Sequence, residues 1–258
     1  GNPNKLHIEN ISLITTTIDD YAVYSRDTLT TMKNVIISGY SASGSAGGAM
    51  RIRSADYSSL NHSASSPTLY NVTVTNCCRG IRIQDSNEAY VKDCNVINVT
   101  DNAIYFAAGS YTSADGCTNC TADNCIVTNA GNVAFMNIGG SDNKFINCSM
   151  NGSRGAAVGV YNTNGTIEVD NCIFTNANRG LPLTPWGGAT DGFGGAACGL
   201  AVNVLDISGI LNVHDSTFNS GAGSVYWKTL PGTMTVLAND VTELNFPDGL
   251  VGTGSSPI

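Results

Sequence analysis

Charge is scarce in this chain. Of 258 residues, 12% are Asp, Glu, Lys or Arg, about half the usual share. The charges present lean acidic, giving a net charge of −8. An acidic surface releases no counterions from a phosphate backbone, so nucleic acid is excluded as a partner class. Apolar runs are short as well. None reaches the roughly 18 residues that cross a bilayer, and no membrane insertion is expected. The opening GNPNKLHIENISLI alternates like a strand from the start and carries no charged-then-apolar leader. The chain therefore reads as a single domain over 1–258, cut from something longer. Metal motifs are missing too. Cys117 and Cys120 form the one CxxC, no CxxH accompanies it, and His7, His62 and His214 stand at no ligand spacing. No metal and no other cofactor is expected.

Gly is plentiful at 29 residues, Asn, Ser and Thr are abundant, and 42% of the chain is hydrophobic. This composition suits short strands joined by tight turns over one large core, and it disfavours helices. The apolar residues recur in short alternating segments. One series reads YAVY at Tyr21, AMRI at Ala49, GIRI at Gly80, AIYF at Ala103, VAFM at Val133 and AVGV at Ala157. It continues with GLPL at Gly180, SVYW at Ser224 and ELNF at Glu243. A second series includes NVIIS at Asn34, NVTVT at Asn71, NVINV at Asn95 and CIFTN at Cys172. A third, fainter one includes YVKD at Tyr90, NKFIN at Asn143 and TIEVD at Thr166. Three short strands per repeat, most repeats in the twenties, cannot bury their own inner face. Stacking coil on coil does, with each strand pairing in parallel with its copy. The expected fold is all-β: a single-stranded parallel β-helix of about eight to nine coils, three short strands per coil.

Aligned on the strand that follows them, Cys94, Cys125, Cys148 and Cys172 hold one position, with Ser216 as its later copy. Asp93, Asn124, Asn147, Asn171 and Asp215 precede them. Stacked coils place equal positions above one another, so the expectation is an inward ladder of small side chains beside an amide ladder. The nine Cys are odd in number and show no disulfide framework. Unpaired thiols in a row suggest folding in a reducing cytoplasm.

The NCxF and NVTVTN…GIRI phrasing resembles the right-handed parallel β-helix, pectin-lyase-like superfamily over roughly Leu6 to Phe246. Its members, as the resemblance implies, include polysaccharide lyases, glycoside hydrolases, epimerases, bacteriophage tailspikes and adhesins.

Extra residues follow the GIRI-type strand in nearly every coil, the largest stretch being 184–209. In solenoids such insertions gather on one face, often the binding face. On that strand, alternation sends Ile81 and Ile83 inward and Arg51, Arg53, Arg82, Gln84 and Tyr105 outward, with Tyr161 expected on the same line. Arg offers a planar fork for carboxylate or sulfate, and Tyr an apolar face for a sugar ring. Trp186 and Phe193 in the Gly-rich TPWGGATDGFGGAACG stretch add exposed aromatics. That stretch lacks the Lys-Ser/Thr end of a phosphate-binding loop. The substrate-binding candidates are thus Arg51, Arg53, Arg82, Tyr105, Tyr161, Trp186 and Phe193. Hydrolysis of a glycosidic bond needs two carboxylates across it, and Asp85 with Asp56 or Asp101 are the candidates. Elimination needs a base and a cation on the uronate, for which Arg82 and Tyr105 are available. A loop Asp is equally an ordinary turn former.

The favoured expectation is a saccharide-binding, and in part saccharide-cleaving, module of the bacteriophage tailspike or depolymerase type. It would act on bacterial surface glycan as a homotrimer on a virion tail. The alternatives are a secreted lyase, hydrolase or epimerase, and a non-enzymatic adhesive spike module.

Overall fold

Alternation of apolar and polar residues sets every strand of this chain, and stacking of equal positions sets the rest. The structure, a computed structural model, describes residues 4–16, 20–26, 28–40, 47–53, 66–109, 115–161, 163–177, 200–203, 209–219, 226–228, 235–239 and 242–244. Among these residues no helix occurs, and every strand pair is parallel. The strands form a right-handed parallel β-helix.

Eight strands stack into one sheet: Tyr21–Arg26, Gly48–Arg53, Ile81–Gln84, Ile104–Ala107, Phe135–Ile138, Val158–Tyr161, Leu200–Asn203 and Tyr226–Lys228. The other sheet has 15 strands and folds around a corner. In the first coils one long strand, such as Asn4–Ile14 or Thr28–Ser38, runs through that corner. From Thr68–Thr75 onward it splits, because both Tyr90–Lys92 and Asn95–Val99 pair with Thr68–Thr75.

The corner is made by Asn10, Asn34, Asn71, Asp93, Asn124, Asn147, Asn171 and Asp215, all with φ between 49° and 55°. Among residues with a Cβ, Asn and Asp bear this left-handed conformation best. Their side chains also bond along the stack. Asn34 Nδ2 donates to Asn10 Oδ1 at 2.9 Å, Asn71 to Asn34 at 2.9 Å, Asn124 to Asp93 at 2.6 Å and Asn171 to Asn147 at 2.8 Å. The next residue turns inward. Val35, Val72, Cys94, Cys125, Cys148, Cys172 and Ser216 are all buried there, which is the expected thiol ladder. Each ladder thiol donates to the carbonyl two residues earlier, as Cys125 Sγ does to Asp123 O at 3.5 Å and Cys172 Sγ to Asp170 O at 3.2 Å. A second left-handed corner follows at Gly39, Asn76, Asn98, Asn129, Gly152 and Asn176.

The lumen is mostly apolar, with the inward Asn143 donating to the inward Asn137 at 2.8 Å. Val23, Met50, Ile81, Ile104, Phe135 and Val158 stack from one sheet. Phe106, Phe135, Phe145, Phe174 and Phe218 meet across the axis, with ring centroids 5.0 to 5.9 Å apart. Such pairs contribute about 0.5–1.5 kcal/mol each beyond area burial.

Two sequence expectations are corrected. The strand that pairs with Val158–Tyr161 is Leu200–Asn203, not Gly180–Leu183. The long stretch after Thr175 therefore precedes that strand, and 184–209 is not one uninterrupted insertion. Around Glu243, the strand Thr242–Leu244 pairs with Thr217–Asn219 in the 15-stranded sheet, so it belongs to the second series. Both errors have one cause: a short apolar-alternating segment fits any rung, and only the pairing tells rungs apart.

Candidate functional site

Outward positions on the eight-stranded sheet fall into two ladders. Tyr24, Arg51, Arg82, Tyr105, Met136 and Gly159 are in register on one, and Arg26, Arg53, Gln84, Ala107, Ile138 and Tyr161 on the next. Tyr161 thus stands beside the Arg51–Arg82–Tyr105 line rather than on it.

Arg51 and Arg82 are one strand spacing apart, about 4.8 Å. Each guanidinium lies over a ring: Arg51 over Tyr24 at 5.7 Å and Arg82 over Tyr105 at 5.6 Å. Arg51 Nε donates to Gln84 Oε1 at 2.9 Å, Gln84 Nε2 donates to Asp85 Oδ2 at 2.8 Å, and Asp85 Oδ1 accepts from the Gly109 N–H at 2.7 Å. This chain fixes the direction of Arg51. Burial, with Arg82 and Arg53 close by, pulls the pKa of Arg51 below the ordinary arginine value. Like charges gathered on a partly dry face are the local condition that an anion relieves.

A second group lies at the turn entering this sheet. Arg79 Nε donates to Asp101 Oδ2 at 2.7 Å, and an Arg79 terminal nitrogen lies 3.5 Å from Tyr21 Oη. Burial opposes the Arg79 charge, but Tyr105 and Asp101 outweigh it and its pKa stands above the ordinary value. Tyr105 points away from the lumen yet is 3% exposed, and its Oη is buried with no hydrogen-bond partner. Burial pushes its pKa up, against the pull of Arg82 and Arg79. Tyr105, Met136, Ile138 and Tyr161 belong to an apolar cluster outside the lumen.

The exposed Tyr105 and Tyr161 expected from alternation are therefore corrected: both point outward and both are buried. Arg51, Arg53 and Arg82 are partly exposed, as a contact surface requires. Asp85 has a φ of 48° and spends both oxygens on hydrogen bonds, in the manner of a turn former. Asp101 is held by Arg79. The structure thus brings Arg51, Arg82, Tyr105 and Asp85 to one face and puts Asp101 at its margin. Asp56, Trp186 and Phe193 lie outside the described residues. Sequence reasoning passed over Tyr21, Tyr24 and Arg79. Tyr24 was legible, being in the YAVY copy of the GIRI strand at the place of Arg82. Arg79 was not, since its partner Asp101 is identified only by stacking one turn on the next.

A different cluster lies on the outer face of the other sheet. His214 Nε2 is 3.2 Å from Glu168 Oε1, His214 Nδ1 is 3.1 Å from Asp170 Oδ1, and Lys144 Nζ is 2.6 Å from Glu168 Oε2. The carboxylates flank opposite ring nitrogens, which suits an imidazolium with two N–H donors better than a metal ion held by one nitrogen.

Residues 4–150 match the family model described as right handed beta helix region. The match spans more than half of the chain, and the chain belongs to that family. No curated protein shows significant similarity to it. Among solved structures, the crystal structure of an alginate lyase from Paenibacillus sp. str. FPU-7 is similar. It has a TM-score of 0.55 and 12% sequence identity over 95% of this chain and 91% of that chain. At that identity the likeness is one of fold.

Proposed function

We propose that the arginine face of the eight-stranded sheet binds an extended anionic polysaccharide. The carboxylates of successive uronic-acid residues would sit on Arg51, Arg53 and Arg82. The observation that carries this reading is the Arg51–Arg82 ladder itself, a run of partly buried like charges on a chain of net charge −8. The fold is in keeping with it, being shared with a protein described as an alginate lyase. Fold alone does not carry function; the residues of the site do. Cleavage by elimination suits these residues better than hydrolysis. Cations that neutralise a uronate are present, whereas Asp85 and Asp101 have their oxygens engaged.

Within this reading the protein is a spike or depolymerase module that meets bacterial surface glycan. Its free buried thiols are consistent with folding in a reducing cytoplasm. Association into a homotrimer is supported by one uncharged face. Ile36, Thr73, Asn95, Ile126, Ser149, Ile173 and Thr217 form an outward ladder without charge, in which Ile36, Ile126 and Ile173 are 46%, 46% and 56% exposed. Copies of so acidic a chain approach each other best through such a face. A second reading, binding without cleavage, is favoured by Tyr105, the candidate base for elimination, which is buried and whose pKa burial pushes up.

The test is incubation with polyuronates and bacterial capsular glycans. Absorbance of an unsaturated product marks elimination, new reducing ends mark hydrolysis, and binding without either marks the adhesive module. Arg82→Gln is expected to weaken binding about tenfold. Equal affinity of this variant would refute the arginine face.

A further inference from the structure

A cavity of about 470 Å³ opens at the second corner, where the 15-stranded sheet ends and the chain turns toward the arginine face. Its shape follows from three rungs. Val99, Ala130 and Ser153 are in register and buried, and they form the floor. Asn98, Asn129 and Gly152 precede them on one side. Thr100, Gly131 and Arg154 follow on the other, joined by Gly131 N–H to Val99 O at 2.7 Å and Arg154 N–H to Ala130 O at 2.9 Å. Gly152 carries no side chain, which opens the notch beside Asn129, and Gly131, where a Cβ would lie 2.2 Å from Thr100 O, sits low between Thr100 and Arg154. They stand two strand spacings apart, roughly 10 Å.

The polar groups of this notch have unused capacity. Asn129 Nδ2 donates to Asn98 Oδ1 at 3.0 Å, and Asn98 Nδ2 to Asn76 Oδ1 at 3.3 Å. A primary amide has two donors and two acceptor lone pairs, so Asn98 and Asn129 each keep an N–H and a lone pair for a ligand. Arg154 is exposed, and among the described residues no carboxylate pairs with it. The volume is in the range of small-molecule sites and well above what an inorganic anion needs. Amides that both donate and accept, beside a cation with a planar fork, suit a ligand that bears several hydroxyls and one carboxylate.

We propose that this notch is a second saccharide site, which takes a uronic-acid residue with its carboxylate on Arg154 and its hydroxyls on Asn98 and Asn129. The ligand class rests on the proposed function, but the site does not, because the turn from Thr100 to Ala103 separates it from the arginine face. The amide ladder runs along the coil axis, so a bound polymer would lie along the corner.

The test is titration of isotope-labelled protein with a short oligouronate, following backbone amides and the Arg154 side-chain Nε–H by NMR. The amides of Gly131, Gly152 and Ser153 and the Arg154 side chain are expected to shift together. In Arg154→Gln the shifts at Gly131 and Gly152 should vanish while those at Arg51 and Arg82 persist. Static notch signals in the wild type overturn the proposal. So does an equal response to a neutral oligosaccharide or to inorganic sulfate, which would make the notch a general sugar or anion contact. If the notch responds and the Arg51–Arg82 face does not, this site stands and the proposed function falls.

Discussion

At the residue scale, a sharp corner repeated in every coil accounts for the most conspicuous sequence habit, an Asn or Asp followed by Cys. The Asn bears the left-handed backbone and bonds along the stack. The Cys fills a small inward space and gives its weak S–H to a carbonyl. Asn147→Val should destabilise by about 1–3 kcal/mol, from left-handed strain and a lost amide bond, read as a lower Tm in thermal unfolding. Burial, with the Cys125 and Cys172 thiols adding to it, pushes the pKa of the ladder thiol Cys148 up, and all four ladder thiols are closed to solvent. The ladder thiols should therefore stay silent to a thiol reagent in the native protein and react on unfolding. Rapid labelling of the native chain would contradict the ladder. The place of Cys in the motif could be read from the sequence because Ser216 occurs at the same position. The burial of Tyr105 could not, since alternation tells which way a side chain points and not what lies over it.

At the scale of elements, charge pairs cross from strand to strand. His214 on Ile210–His214 faces Glu168 and Asp170 on Thr166–Asp170, with Lys144 on Asn143–Ile146 and Asp215 beside it. Burial lowers the His214 pKa, but hydrogen bonds to Asp215 and Glu168 and the charge of Asp170 outweigh it, so it stands above the ordinary 6.5. The Glu168 pKa is lowered, chiefly by its hydrogen bond to Lys144 and against burial. A raised histidine adds stability below its unfolded pKa and loses it as pH rises through the folded value. A lowered carboxylate adds stability above its unfolded pKa and loses it as pH falls through the folded value. The cluster should hold these strands best in mildly acidic solution, and His214→Gln should flatten the Tm profile between about pH 5 and 8. An unchanged profile would mean that solvent screens the cluster fully. Gly80 shows another constraint of the stack: a Cβ there would lie 2.1 Å from Ala103 O. Gly80→Ala should cost about 1–3 kcal/mol, measured by denaturant unfolding. The strands themselves were legible from period-two alternation. Their pairing after Thr175 was not, because Gly180–Leu183 and Leu200–Asn203 fit the same rung equally well by pattern.

At the scale of the whole molecule, the solenoid divides its surface by chemistry. Among the described residues, one face is uncharged and bears exposed isoleucines, a second alternates Lys, Asp, Glu and His, and the third gathers Arg51, Arg53 and Arg82. The parallel coil was readable from repetition, and its right hand only from the family resemblance. The arginine ladder was readable as well, because GIRI and AMRI are neighbouring copies with Arg at the same place. Asp85's bond to Gly109 was not, since it forms only when the next coil stacks beside Ile81–Gln84. If the uncharged face joins copies, Ile173→Glu should shift the mass measured by light scattering from trimer to monomer. A wild-type monomer at all concentrations would remove that face as an interface. Whether the arginine face holds a uronate chain is tested most directly by a crystal structure with a short oligouronate. Sugar carboxylates are expected within hydrogen-bond distance of Arg51 and Arg82. A saccharide ordered elsewhere on the protein, with those two guanidinium groups left bare, would contradict it.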